Sequence, residues 1–489
     1  MPPFRKPTAA PAPAASADPR AAIIRSKDDF TFRLADALTG VMVFGATGSG
    51  KTSGPARFLA EGYLASNFKF GGLVLCAKIE ERQQWEKWAA ATYRTDDLII
   101  IDKAGSHRFN FLNWEQENAS AGGGLTINVV ALLEEIAQAV AGSAGGSGEQ
   151  FWGDALRHLM TNAVDLCLFS GQRLSLPILR DLIISAPQSM EEVGNETWQD
   201  ESACWKAMKT AAARKGQMDA QELADFTECA TYFTREFPTT SDRTRSIITL
   251  MFSLLSRPFT TRPLRRLFCE DTTIRPEDCF DGKIIIVDLP VQDFRLAGRV
   301  AALAWKYCFQ LAVMRRQQTG EQLRPVFLWA DECQNFVTAR DAEYQAVARS
   351  AGGCTVYLTQ NRESLRRVLG QNDTVDSLLG NLQCKFFCQN SGETNEYAAK
   401  LLGERWTEIS HTGVSFGEKG GGGHLETAEQ RRYFVDSAVF ATLKRGGAVN
   451  GYEVETIVYN GGWQYPIRDP KSRRIEQVPF KLLTLPQEG

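Results

Sequence analysis

Short runs of consecutive apolar residues recur near the start of the chain, at 40–44 (GVMVF), 72–77 (GLVLCA) and 97–102 (DLIIID). Helix-period segments separate them, near 54–67 and 81–93. Continuous apolar strands alternating with helices predict a parallel sheet covered on both faces. From about Trp114 to Glu270 the strand signal fades, and amphipathic helical periods take over at 129–140 and 150–168, with a Gly/Ser-rich hinge at Gly142–Gly148 between them. A further helix is expected at 246–255 (SIITLMFSLL), ending before Pro258. Strands return at 283–289 (KIIIVDL), 326–331 (VFLWAD), 354–359 (CTVYLT) and 382–388 (LQCKFFC), with helices at 295–316 and 393–402. Beyond Glu404, shorter alternating runs flank a glycine tract at 417–423, which reads as a flexible hairpin loop.

This pattern predicts an α/β protein with a mainly parallel central sheet, split by an all-α insertion. The expected divisions are a disordered Pro/Ala-rich tail (1–22), the first part of a nucleotide-binding domain (23–114), the all-α insertion (115–275), the second part of that domain (276–465) and a C-terminal tail (466–489).

Composition narrows the reading. With 489 residues and 43% hydrophobic content, the chain can fill a large core and does not read as disordered outside its ends. Lys plus Arg is 55 and Asp plus Glu is 58, a net charge of −3, so nucleic acid cannot be coated by bulk charge and any contact with it must be local. The 11 cysteines are scattered without a metal-ligand spacing, and only four histidines occur, so reduced thiols and no zinc site are expected. No run of about 18 apolar residues predicts a membrane span, and the N-terminal segment lacks the apolar stretch of a secretory signal.

The strongest chemical signal follows the first strand. Gly45-Ala46-Thr47-Gly48-Ser49-Gly50-Lys51-Thr52 fits G-x-x-x-x-G-K-[ST], and Ser53 follows it into a helix. Glycines let backbone N–H groups curl around phosphate oxygens, Lys51 supplies a point charge to the β and γ phosphates, and the Thr52 hydroxyl suits Mg²⁺. These residues are the candidate site for ATP and Mg²⁺. The strand at 326–331 ends in Asp331-Glu332: Asp331 suits a contact to the metal and Glu332 a general base for the attacking water. Asp288 ends another apolar strand but lacks the adjacent glutamate and ranks second. Gln360, with Asn361, closes the strand at 354–359 and is the candidate γ-phosphate sensor; Arg349, just before that strand, is the candidate for a transition-state arginine.

With these residues in place, the chain resembles the type IV coupling proteins of conjugation, the TraG/TraD-like branch of the HerA/FtsK group of RecA-like motor ATPases, over roughly residues 38–465. Cys76-Ala77-Lys78-Ile79-Glu80 is similar to the family's Asp-x-Lys-Gly-Glu stretch without its Asp and Gly, and Phe109-Asn110-Phe111-Leu112 to its Phe-Asn-Pro-Leu with Phe111 in place of proline. Phe151-Trp152-Gly153-Asp154-Ala155, the run 282–290 (GKIIIVDLP), 331–336 (DECQNF) and Thr359-Gln360 follow in family order. The resemblance implies a homo-hexameric RecA-like P-loop ATPase that moves DNA through a central pore, with Arg349 reaching a neighbour's γ-phosphate. It also implies a relaxosome-like or membrane-anchor partner on the all-α domain and a cytoplasmic location, with either a partner that recruits the chain to the membrane or a motor redeployed to a role such as phage defence or mobile-element processing. The family's usual N-terminal transmembrane helices have no counterpart in this sequence.

Local DNA-contact candidates are Arg362, Arg366 and Arg367 after the sensor strand, and Lys206, Lys209, Arg214 and Lys215 beside Trp205. Two other functions fit the same motifs: an ATP-gated adaptor that assembles and presents its helical domain to proteins without processive transport, and an ATP-driven handler of protein substrates. A GTPase is disfavoured by the lack of an Asn-Lys-x-Asp motif.

Overall fold

The computed structural model describes residues 18–118, 123–141, 149–316, 323–370, 372–417, 420–468 and 475–487. Nine strands carry its α/β framework: β1 (Val41–Phe44), β2 (Gly71–Leu75), β3 (Leu98–Ile101), β4 (Ile284–Val287), β5 (Val326–Ala330), β6 (Gly353–Thr359), β7 (Cys384–Phe387), β8 (Glu453–Asn460) and β9 (Phe480–Pro486). The chain forms two compact units, Met1–Lys69 with Trp88–Arg94 and Trp329–Gly489, and Phe70–Lys87 with Thr95–Leu328.

In the first unit the strands lie in the order β9-β8-β7-β1-β6. β1 runs parallel to both β6 and β7, pairing Phe44 with Thr359 on one side and with Phe387 on the other. Every residue of β1, β6 and β7 is buried, as expected of apolar runs that lack polar alternation. The Phe44 and Phe387 rings stack at 5.6 Å, and Phe440 meets Phe387 edge-on at 5.8 Å. β8 closes this side by pairing antiparallel with both β7 and β9.

In the second unit β2, β4 and β3 are parallel, with β4 in the middle. Gly72 of β2 has no room for a side chain: a Cβ there would lie 2.4 Å from the Phe327 ring, which itself stacks on Trp85 at 5.4 Å. Among the described residues no strand occurs between Ile101 and Ile284. That block is built from helices such as Thr126–Ala141, Glu149–Phe169, Leu176–Ile184, Ala203–Ala213, Ala220–Thr231 and Asp242–Thr260. Side chains cap several of them: Ser202 accepts from Trp205 N–H, Asp219 and Glu222 form a reciprocal capping box, and Ser241 accepts from Thr244 N–H. The two ends of the block are tied together. Trp114 Nε1 donates to Glu277 at 3.1 Å, and Arg315 donates to both oxygens of Glu115 at 2.8 and 2.6 Å.

The α/β class expected from the sequence is the one observed, and the strand positions agree within a residue or two. Three expectations need correction. The helix expected to stop before Pro258 runs through it to Thr260. Phe259 is fully buried, packing on Phe111 at 5.3 Å and Phe268 at 5.6 Å, which holds the last turn. The proline removes one hydrogen bond, to the carbonyl of Leu254, at an exposed position of the helix. The segment 466–489, expected as a tail, contributes β9, paired with β8 from Glu453↔Pro486 to Tyr459↔Phe480. The shorter runs expected beyond Glu404 are one long ribbon, in which Glu404–Gly417 pairs antiparallel with Gly420–Tyr433 along its whole length; residues 418–419 of the expected hairpin loop lie outside the described residues. Residues 1–17 of the expected N-terminal tail and the expected hinge Gly142–Gly148 lie outside the described residues. Among the described residues no helix is long and apolar enough to cross a membrane.

Candidate active site

The loop that leaves β1 is pinned at its start. Gly45 N–H donates to Thr359 O at 3.2 Å and Ala46 N–H to Gln389 O at 3.0 Å. Gly48 and Gly50 then take φ values of +74° and +82°, the left-handed region that a side chain resists. At Gly50 a Cβ would also lie 2.5 Å from the Val454 side chain and 2.9 Å from Arg445 O, so β8 and the turn before it press against the loop from behind. The loop runs into a wide first helical turn, Thr52–Ala56, and the helix Arg57–Ala65. Among the described residues the N–H groups of Thr47, Gly48, Gly50 and Lys51 donate to no protein acceptor, and the buried Ser49 Oγ has no hydrogen-bond partner. Unpaired donors curled around one concavity fit a phosphate, which supplies the missing acceptors.

The ionised groups expected to act with this loop converge on it. Lys51 Nζ lies 2.9 Å from Glu332 Oε1 and 3.9 Å from Asp331 Oδ1. Thr52 Oγ1 donates to Asp331 Oδ2 at 2.9 Å. Lys51, Asp331 and Glu332 are all more than nine-tenths buried. One cation against two carboxylates leaves a net −1, which favours a divalent cation once phosphates engage the lysine. A hydroxyl and a carboxylate are hard oxygen donors of the kind Mg²⁺ prefers, and that ion takes few ligands from protein and the rest from water and phosphate. No larger cluster of three or more metal-binding side chains occurs among the described residues.

Glu332 sits at φ 48°, ψ 48°, an uncommon conformation for a residue with a side chain. Its surroundings hold it there: its N–H donates to Asp331 Oδ1 at 2.8 Å, and its carbonyl accepts from Asn335 N–H at 3.0 Å and Asn335 Nδ2 at 2.9 Å. Gln360 Nε2 reaches Glu332 Oε2 only at 3.4 Å. Its own carbonyl accepts from Asn390 Nδ2 at 2.6 Å, and Asn361 caps the next helix, Arg362–Leu369, through Ser364 N–H. Sequence reasoning missed Gln334, which donates to Glu332 Oε2 at 2.8 Å. The sole signal was its place two residues after the glutamate.

Other candidates fall elsewhere. Asp288 is held by Arg82 Nη1 at 3.0 Å, and the same guanidinium approaches Asp102 at 3.5 Å and Glu86 at 2.9 Å. Arg349 is exposed at the end of the helix Arg340–Ala348 and makes no ion pair among the described residues; it is not part of its own chain's cluster. Arg362 pairs with Asp376 and lies over Tyr397, and Arg366 pairs with Glu393, so two of the three candidate DNA contacts are already neutralised. Arg367 is exposed, as are Lys206, Lys209 and Lys215, whereas Arg214 donates to Phe169 O at 3.2 Å.

Residues 325–439 match the family described as the TraM recognition site of TraD and TraG. No curated protein matches the chain by sequence. Among solved structures, the unbound bacterial conjugative coupling protein TrwBdeltaN70 superposes with a TM-score of 0.58 at 17% identity, over 95% of this chain and 90% of that one. The plasmid coupling protein TrwB in complex with ADP and Mg²⁺ gives 0.57 at 16% identity, over 96% and 92%. TrwB with the non-hydrolysable ATP analogue ADPNP gives 0.55 at 16% identity, over 93% and 88%. At these identities the likeness establishes the fold. The α/β architecture read from the sequence is the architecture of the chain, and the likeness in fold to the TrwB structures extends along nearly all of it.

Proposed function

We propose that this chain is an ATPase that works as a homo-hexameric DNA motor of the coupling-protein type. The observation that carries the reading is the convergence of Lys51, Thr52, Asp331 and Glu332 beside a loop of unpaired backbone donors. The TrwB structures with ADP and Mg²⁺ and with an ATP analogue support ATP and Mg²⁺ as the ligands here.

In this reading the Gly45–Ser53 backbone grips the phosphates, and Lys51 turns from Glu332 to the β and γ oxygens. Thr52 and Asp331 would hold Mg²⁺, which when bound supplies charge neutralisation at those oxygens. Glu332, released from its lysine, accepts the proton of a water aligned with the γ-phosphorus. Gln360 senses the γ-phosphate. Arg349, exposed and without an ionic partner, serves the site of a neighbouring subunit. The domain divisions at 115–275 and 276–465 belong to the same proposal.

A relaxosome-type protein partner is supported by the family match over 325–439; in this reading the partner docks on that segment, whereas sequence reasoning put the contact on 115–275. The test is steady-state ATP hydrolysis with and without single- and double-stranded DNA, beside Glu332→Gln. A DNA-stimulated rate that falls by about 10²–10⁴ in the variant is expected. Hydrolysis indifferent to DNA would replace the motor with the ATP-gated adaptor, and no hydrolysis under any condition would end the ATPase reading.

A further inference from the structure

We infer that Gln334 is the positioning residue of the general base, itself held at the far end of its amide by the hydroxyl of Thr359. The inference rests on the ATPase reading above and deepens it.

The two oxygens of Glu332 are held by different groups. Oε1 takes the Lys51 ammonium at 2.9 Å, and Oε2 takes the Gln334 amide at 2.8 Å. Only one of these holds survives ATP binding, because phosphate oxygens compete for Lys51. Oε1 is then the oxygen freed to accept a proton from water. Gln334 keeps hold of Oε2 and so keeps Oε1 aimed. Gln360, the residue sequence reasoning put in charge of the γ-phosphate, shares Oε2 but at 3.4 Å, too long to be the main anchor.

A glutamine amide can flip, and a flipped amide would present its oxygen to a carboxylate, which repels it. The Glu332 carboxylate, which can only accept, therefore sets the amide's orientation, and Thr359 holds its other end. Its Oγ1 donates to Gln334 Oε1 at 2.9 Å, with the NH₂ group facing Glu332. Thr359 is fully buried at the end of β6, and its carbonyl also anchors the phosphate loop through Gly45 N–H. One residue therefore ties the loop that carries ATP to the amide that aims the base.

The experiment compares Gln334→Met and Thr359→Val, which keep shape and remove the hydrogen bonds, with Thr359→Ser, which keeps the hydroxyl. ATP turnover and ADP binding are measured for each. The expected result is a fall in kcat of about 100-fold for Gln334→Met, the scale of a base displaced by about an ångström. A smaller fall is expected for Thr359→Val, near wild-type turnover for Thr359→Ser, and KM and ADP affinity are expected to be unchanged in all three. Wild-type turnover in Gln334→Met overturns the inference and leaves the ATPase reading standing. Loss of ADP binding in step with turnover also overturns it, since that assigns Gln334 a purely structural role. A wild-type protein that hydrolyses no ATP overturns both.

Discussion

A lysine on a fully buried strand needs a reason to be tolerated. Lys385 of β7 is 3% exposed, with Nζ donating to Leu382 O at 2.6 Å and lying 5.8 Å from the Tyr459 ring. Burial disfavours the ammonium and lowers its pKa from 10.5 to about 8. The unfolded chain therefore binds the extra proton between about pH 8 and 10.5 while the folded chain does not, and stability rises with pH across that window. Below pH 8 both states are charged and the cost of burial is present in full. Lys385→Met removes this dependence. The stability difference between variant and wild type, from denaturant unfolding at each pH, should shift by about 3 kcal/mol between pH 7.5 and 10.5, with the variant favoured at the lower end. A difference flat across that range would mean the ammonium is solvated. At this scale the sequence was informative wherever chemistry is written in consecutive residues. Gly45 to Thr52 declares a phosphate loop because its backbone geometry depends on local glycines, and Asp331-Glu332 declares itself because both carboxylates end one strand. Gln334 did not, because its role comes from Glu332 on one side and, on the other, from Thr359, 25 residues beyond Gln334. Pairing an amide with a distant hydroxyl leaves no pattern along the chain.

Among the elements, the strands easiest to read were those buried on both faces, since an unbroken apolar run of four to seven residues between turn signals fits a strand in the middle of a parallel sheet. β9 was overlooked because its buried positions, Phe480, Leu483 and Leu485, do not keep a strict period of two, and its pairing with β8 is the only cue. The helix through Pro258 was cut short because local propensity was outweighed by the burial of Phe259. The most telling device at this scale is the tie across the two ends of the helical block. Phe109-Asn110-Phe111-Leu112 starts the helix Phe111–Glu117: Asn110 caps it through Asn113 N–H while its Nδ2 donates to Leu174 O at 2.9 Å. That helix carries Trp114 and Glu115 to Glu277 and Arg315. Glu115 is wholly buried and Arg315 only 14% exposed in its side chain, so the pair is nearly desolvated. Removing one partner leaves a buried, uncompensated charge. Arg315→Ala should lower the stability of this unit by about 3–5 kcal/mol, measured by urea unfolding. Replacing both residues together, Glu115→Leu with Arg315→Met, should recover most of that loss. If the double variant is no better than the single, the tie works through shape and not through charge.

The whole chain has almost no net charge, −3 over 489 residues, so the proposed contact with DNA would have to come from assembly and not from composition. The order of its parts made the fold legible from sequence; the proposed ring rests on resemblance alone, because contacts between subunits are absent from any one chain. Arg349 is where the two questions meet. It stands exposed beside the helix that leads into β6, outside the cluster of its own Lys51, Asp331 and Glu332. If it completes a neighbour's site, complementation is required by geometry. Lys51→Ala subunits cannot grip ATP but still present Arg349; Arg349→Ala subunits bind ATP but offer nothing to the next subunit. Each variant alone should hydrolyse ATP at least about 10³-fold more slowly than wild type, the scale of losing an arginine finger. Mixed before assembly, they should regain a substantial fraction of activity. Every intact Lys51 site that adjoins a Lys51→Ala subunit has an intact arginine supplied to it, so activity should peak near equal proportions. A mixture no more active than its components would place Arg349 outside catalysis, and an Arg349→Ala protein with normal turnover would do so without any mixing.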